Sequence, residues 1–220
     1  FTELGSGFKI AMRDLSIRGA GNLLGAQQHG FIDSVGFDMY SQMLKEAIEQ
    51  RQGPKDAKKA HEISIDVELD AYIPESYIPD SKQKIDMYKR FRGLESKEDL
   101  VELQDEMKDR FGNYPKEVDY LFQVSEMRVY GLKEKVDSIK QTKQELVILL
   151  SEEASAIIDG QKLFLLGNEF GRMVSLGMEG KHLKIVIQTK RSAIEEWIQV
   201  AISMIKGLEK VKKESVNASS

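Results

Sequence analysis

Residues 50–62, Gln-Arg-Gln-Gly-Pro-Lys-Asp-Ala-Lys-Lys-Ala-His-Glu, contain no large apolar side chain. Folding is driven chiefly by removing apolar surface from water, so no core can be built through such a stretch. The Gly53-Pro54 pair inside it marks a break. Residues 51–62 are therefore read as a linker. It separates a short, glycine-rich segment at 1–50 from a longer, periodic one at 63–215, and residues 216–220 read as a frayed tail.

The longer segment opens with Ile63, Ile65, Val67 and Leu69 alternating with Ser64, Asp66, Glu68 and Asp70. That is the period of a half-buried strand, ended by Pro74 and Pro79. Three helical patterns follow. Ile85, Tyr88 and Phe91 share one face. Leu100, Leu103, Met107 and Phe111 share the next, between an N-cap at Ser96 and a stop at Gly112. Val118, Leu121, Phe122, Ser125 and Val129 line the third, with Pro115 near its start. The continuous run Leu146–Leu150 reads as a well-buried strand. Residues 154–159 suit a short helix, and 162–166 fit either strand or helix. Residues 174–178 and 182–188 flank Glu179-Gly180-Lys181, a hairpin signal. Ile194, Trp197, Ile198, Ala201, Ile202, Ile205 and Leu208 define an amphipathic helix reaching about Val211, with Trp197 most simply in the core. The predicted fold class is α+β, helices packed on a small mixed or antiparallel sheet, preceded by the glycine-rich loop and a helix over residues 39–48.

The segment before the linker carries Gly19, Gly21, Gly25, Gly30 and Gly36 among Arg13, Arg18, Gln27 and Gln28. Glycine loses the most conformational freedom on folding, so this density points to a functional loop. Gly19-Ala-Gly21 resembles the start of a dinucleotide-binding loop, but Gly25 falls one residue late for the third glycine and no acidic ribose ligand follows suitably. The P-loop string is absent, so this chain is not expected to bind ATP by itself. Arg18 and Gln28 are ten residues apart across a glycine-rich bend. A guanidinium fork and an amide that both donates and accepts could exchange partners as neighbours move.

The formal charge is −4, so no global basic field points to nucleic acid. Two local clusters are basic: Lys82, Lys84, Lys89, Arg90 and Arg92 around one helix, and Lys206, Lys210, Lys212 and Lys213 at the last. Both read first as solvated faces. Contact of Lys84, Lys89, Arg90, Lys206 and Lys210 with phosphate or an acidic partner is the sharper alternative. His29, His61 and His182 stand singly, so no metal site is expected. Cysteine is absent, which fits a reducing cytoplasm. No apolar run approaches the roughly 18 residues of a membrane span. Glu152-Glu153 and Glu195-Glu196 fall where exposed faces are expected, and no catalytic set emerges. The chain begins at Phe1, and a piece of a longer protein is expected.

Two motif sets carry a resemblance. Residues 4–44, and within them Asp14-Leu-x-Ile-Arg-Gly-x-Gly-x-Leu-Leu-Gly-x-x-Gln-x-Gly30, closely resemble the bacterial transcription-repair coupling factors (Mfd). The central part is also similar to the fork-rescue helicase RecG. Tyr77-Ile-Pro79 with Lys84-x-x-x-Tyr88-Lys-Arg90, and Asp109-Arg-Phe-Gly112 with Pro115, resemble the C-terminal domain that the coupling factors have and RecG lacks. The resemblance implies a parent that is an ATP- and Mg-dependent double-stranded DNA translocase. Such a parent displaces stalled RNA polymerase and recruits the excision-repair protein UvrA. It implies that Arg13, Asp14, Arg18, Gly19, Gly21, Gly25, Gln28 and Gly30 form the translocation motif. It further implies that residues 63–215 restrain the parent through an intramolecular contact with its UvrA-binding module. On this reading the chain is cytoplasmic and bacterial, and has no cofactor or catalysis of its own. The rival reading is a stand-alone DNA-binding module using residues 82–92 and 206–213.

Overall fold

The computed structural model describes residues 62–214. The expectations for residues 1–61 and 215–220 lie outside them. The described residues form two compact units with the boundary between Val129 and Tyr130, where the sequence reading treats 63–215 as one domain.

In the first unit, ladder pairing covers only Ser64–Asp66 (β1), shorter than the alternation suggests. Alternate burial nevertheless continues through Val67, Leu69, Ala71 and Ile73. Helix α1 spans Ser81–Arg92, α2 Lys97–Phe111, and α3 Lys116–Lys133, which runs past the unit boundary. Asp80 caps α1 by accepting the Gln83 amide at 3.0 Å. Ser96 caps α2 by accepting the Asp99 amide, while the Asp99 carboxylate accepts the Glu95 amide. These exchanges satisfy donors that a helix start leaves open. Gly112, at φ 85°, ends α2 in the left-handed region that glycine enters without strain. Tyr88, Phe91, Leu103, Met107 and Phe122 fill the core, and the Phe91 and Phe122 rings lie 4.6 Å apart.

The second unit is built on four antiparallel strands in the order β2-β3-β5-β4: β2 Val136–Gln141, β3 Glu145–Leu150, β4 Val174–Glu179 and β5 His182–Gln188. Sequence reading misses β2, whose six residues bury only Val136 and Ile139. It also overstates β3. Leu146, Ile148 and Leu150 are buried while Val147 and Leu149 are half-buried, so one face of the strand is core. Helices α4 (Glu152–Ile157) and α5 (Gly160–Asn168) follow, and α5 settles the open choice at 162–166 as helix. Its cap, Asp159, accepts from the Gln161 and Lys162 amides. The β4–β5 hairpin turns on Gly180 at φ 61°. Helix α6 spans Ile194–Gly207, buries Trp197 as expected, and tightens into a 3-10 turn at Leu208–Val211. The fold is α+β, as predicted. No helix among the described residues is long and apolar enough to cross a membrane.

Beyond that turn the backbone closes on the α4–α5 junction. Asp159 N–H donates to Val211 O at 2.8 Å and Lys213 N–H to Ile157 O at 2.7 Å. Lys212 Nζ lies 3.0 Å from Oε2 of Glu134, a buried carboxylate, in an ionic approach without hydrogen-bond alignment.

Candidate functional site

The residues expected to form the translocation motif, Arg13, Asp14, Arg18, Gly19, Gly21, Gly25, Gln28 and Gly30, lie outside the described residues. The expected basic contacts are described, and they fall in different units. In the first, Lys84 is 7% exposed, which withdraws it from any phosphate in solution. It sits four residues before Tyr88, on the helix face that carries Ile85 and Phe91 into the core. Lys89 is half-buried and already engaged. Arg90 is exposed, and its Nη1 donates to Glu106 at 2.7 Å. In the second unit Lys206 lies over the Tyr130 ring, 4.9 Å from its centroid. Lys210 is exposed.

The charge centre of the first unit is Glu106, which sequence reasoning passed over. It accepts from Arg90 on α1 and, at 3.2 Å, from Arg110 one turn along α2. The hydrogen bond from Arg90 leads in holding its carboxyl below the usual range, with the Arg110 guanidinium adding to it and desolvation opposing. The i,i+4 spacing of Glu106 and Arg110 was the available signal. Arg110 also covers the Phe111 ring at 4.9 Å, and Lys108 lies 5.3 Å from the centre of the Tyr114 ring.

Tyr77 ties this region together. Its hydroxyl points at the carbonyls of Gly112, at 2.7 Å, and Met107, at 3.2 Å, sharing its proton across the end of α2. Its ring meets Phe111 edge-on at 5.9 Å. Burial, aided by Tyr114, raises the Tyr77 pKa, so the phenol stays protonated as a donor. Such a surface can recognise a partner by charge and shape. Among the described residues no group of three or more His, Cys, Asp or Glu is arranged for a metal ion. His182 Nδ1 lies 2.8 Å from the Leu150 carbonyl and 3.5 Å from Asp137, a structural setting.

Residues 67–161 match the family model of the TRCF domain. A transcription-repair-coupling factor of Bacillus subtilis (strain 168) is 67% identical over 218 residues, which is 99% of this chain. The chain belongs to the transcription-repair-coupling factor family. It spans 18% of that relative's length. A coupling factor of Staphylococcus epidermidis is 45% identical over 196 residues, 89% of this chain and 17% of that protein. The crystal structure of a C-terminal domain of transcription-repair coupling factor shares the fold, with a TM-score of 0.64 at 22% identity. The match covers 70% of this chain and 96% of that one. Within this coupling-factor chain, two stretches that carried the resemblance, Tyr77-Ile-Pro79 and Asp109-Arg-Phe-Gly112, meet through the Tyr77 hydroxyl.

Proposed function

We propose that this chain comes from a coupling factor that moves along double-stranded DNA by ATP hydrolysis, displaces stalled RNA polymerase and recruits excision repair through UvrA. Residues 1–50 would supply the coupling element, with Arg18 and Gln28 as its working contacts. Residues 63–215 would form a restraining domain that covers the UvrA-binding module of the parent. ATP and Mg belong, on this reading, to parts of the parent outside this chain, and this chain acts by contact. The observation that carries the proposal is the 67% identity over 99% of the chain to a protein named for coupling transcription to repair.

The test is a deletion in the full-length parent. Removing residues 63–220 is expected to tighten UvrA binding by roughly fivefold to 150-fold, the span of a coupling free energy of about 1–3 kcal/mol. Affinities for UvrA that stay the same with and without the domain would overturn masking.

A further inference from the structure

The basic residues that the sequence highlights are mostly engaged: Lys84 is buried, Arg90 is held by Glu106, and Lys206 lies on Tyr130. A different set is unengaged, and topology brings it together. Residues Glu145 and Gln188 pair across β3 and β5, and Gln141 pairs with Leu146, so β2 ends where β3 begins. The Thr189 amide donates to Gln144 O at 3.0 Å, which joins the β2–β3 loop to the β5–α6 loop. Val174 pairs with Ile187, so the turn at Gly171–Met173 leads into β4 at the same end of the sheet. Lys143, Arg172, Lys190 and Arg191 are the cations of these loops, with Lys140 close by on β2, and all five are exposed. Among the described residues none of their side chains pairs with a carboxylate or an aromatic ring. The acidic neighbours are Glu145, Glu169, Glu195 and Glu196. Glu145 is half-buried, Glu195 already has a partner, and Glu195 and Glu196 sit in the first turn of α6, where a helix start favours negative charge.

We propose that this end of the second unit's sheet binds the phosphate backbone of duplex DNA. Strands lie about 4.8 Å apart, so cations at the ends of four neighbouring strands form a row about 14 Å long. A row of unpaired cations suits a linear polyanion, and Arg and Lys side chains of this kind position a protein on phosphates without reading bases. Apart from Phe170, which is half-buried ahead of the Gly171 turn, these loops carry no aromatic ring for base stacking, which favours duplex over single strands. The choice of DNA rests on the coupling-factor reading; the cationic row stands on geometry alone.

The experiment measures binding of the full 220-residue chain to a short labelled duplex of random sequence by fluorescence anisotropy across a salt series. Binding is expected to weaken with salt at a log–log slope of roughly −4, about −0.9 for each phosphate contacted. The variant Lys143→Gln, Arg172→Gln, Lys190→Gln, Arg191→Gln is expected to bind roughly tenfold or more weakly with a shallower slope. Lys206→Gln with Lys210→Gln, on the other side of the comparison, is expected to leave affinity unchanged. Should the fourfold variant unfold, Lys143→Gln and Arg191→Gln taken singly are each expected to reduce the slope by about 0.9. Absence of binding, an unchanged slope in the sheet-end variants, an equal loss in the Lys206/Lys210 variant, or tighter binding to polyglutamate than to the duplex would each overturn the proposal. Because the masking test reads UvrA affinity in the full-length parent, either idea can fail without the other.

Discussion

Tyr88 shows how much can rest on one oxygen. The Ile73 amide donates to the Tyr88 hydroxyl at 2.8 Å, and both residues are fully buried. Tyr88→Phe keeps the ring but leaves that amide without a partner, and an unsatisfied buried donor costs about 1–3 kcal/mol. Urea denaturation of the variant is expected to show that loss, and an unchanged midpoint would contradict it. Glu106 gives a residue-scale prediction for pH. Its folded-state pKa is lowered, so its contribution is complete above the ordinary glutamate value and is lost as pH falls through the lowered one. Glu106→Gln is expected to cost no more than about 1 kcal/mol at neutral pH, because the arginine pairs are exposed and screened by solvent. In strong acid, where Glu106 is protonated in either state, the difference is expected to vanish. Denaturation midpoints of the two proteins at both pH values check it. Lys84 marks a limit of reading residues one at a time. A lysine in a basic run looks solvated until the stripe through Ile85, Tyr88 and Phe91 is drawn around the helix.

Helices were the legible elements because their apolar stripes repeat over several turns. The stripe in α2, Leu100, Leu103 and Met107, sits between a Ser96 cap and Gly112, and the structure keeps all of these features. Strand β2 was illegible because Val136-Asp-Ser-Ile-Lys-Gln offers two apolar residues and a shift in register between Val136 and Ser138. Its place in the sheet is set by β3, a neighbour in space that no local pattern names. The run at 162–166 suits both periods, and the Asp159 cap decides for helix. The β4–β5 hairpin was legible through Gly180, and that glycine supplies a prediction at this scale. A Cβ added there would meet nothing within 4 Å, so the cost of Gly180→Ala is one of backbone alone, about 1–2 kcal/mol. Gly180→Asn is expected to cost less, since asparagine tolerates the left-handed region. Equal thermal shifts for the two variants would refute that account.

For the whole molecule, the fold class and the family were within reach of the sequence, and the sheet-end cations were not. Lys143, Arg172 and Lys190 lie far apart along the chain, and only the strand order joins them. The translocation motif remains a reading of residues 1–50, tested in the intact parent. Arg18→Ala is expected to retain most ATP hydrolysis and to lose displacement of RNA polymerase, and displacement at the normal rate would remove Arg18 from that role. The closure of the second unit has a consequence for how the protein is made. Glu134 enters the ribosome's product long before Lys212, its ionic partner, and nearly the whole second unit separates them in sequence. A buried carboxylate without its counter-charge is costly, so the burial of Glu134, one residue past α3, depends on a partner supplied from far along the chain. The groups that close the second unit, Val211 and Lys213 hydrogen-bonded across the α4–α5 junction and Lys212 beside Glu134, are thus made after every strand of its sheet. A translation pause before that point would leave all four strands synthesised but the α4–α5 junction without the residues that close it.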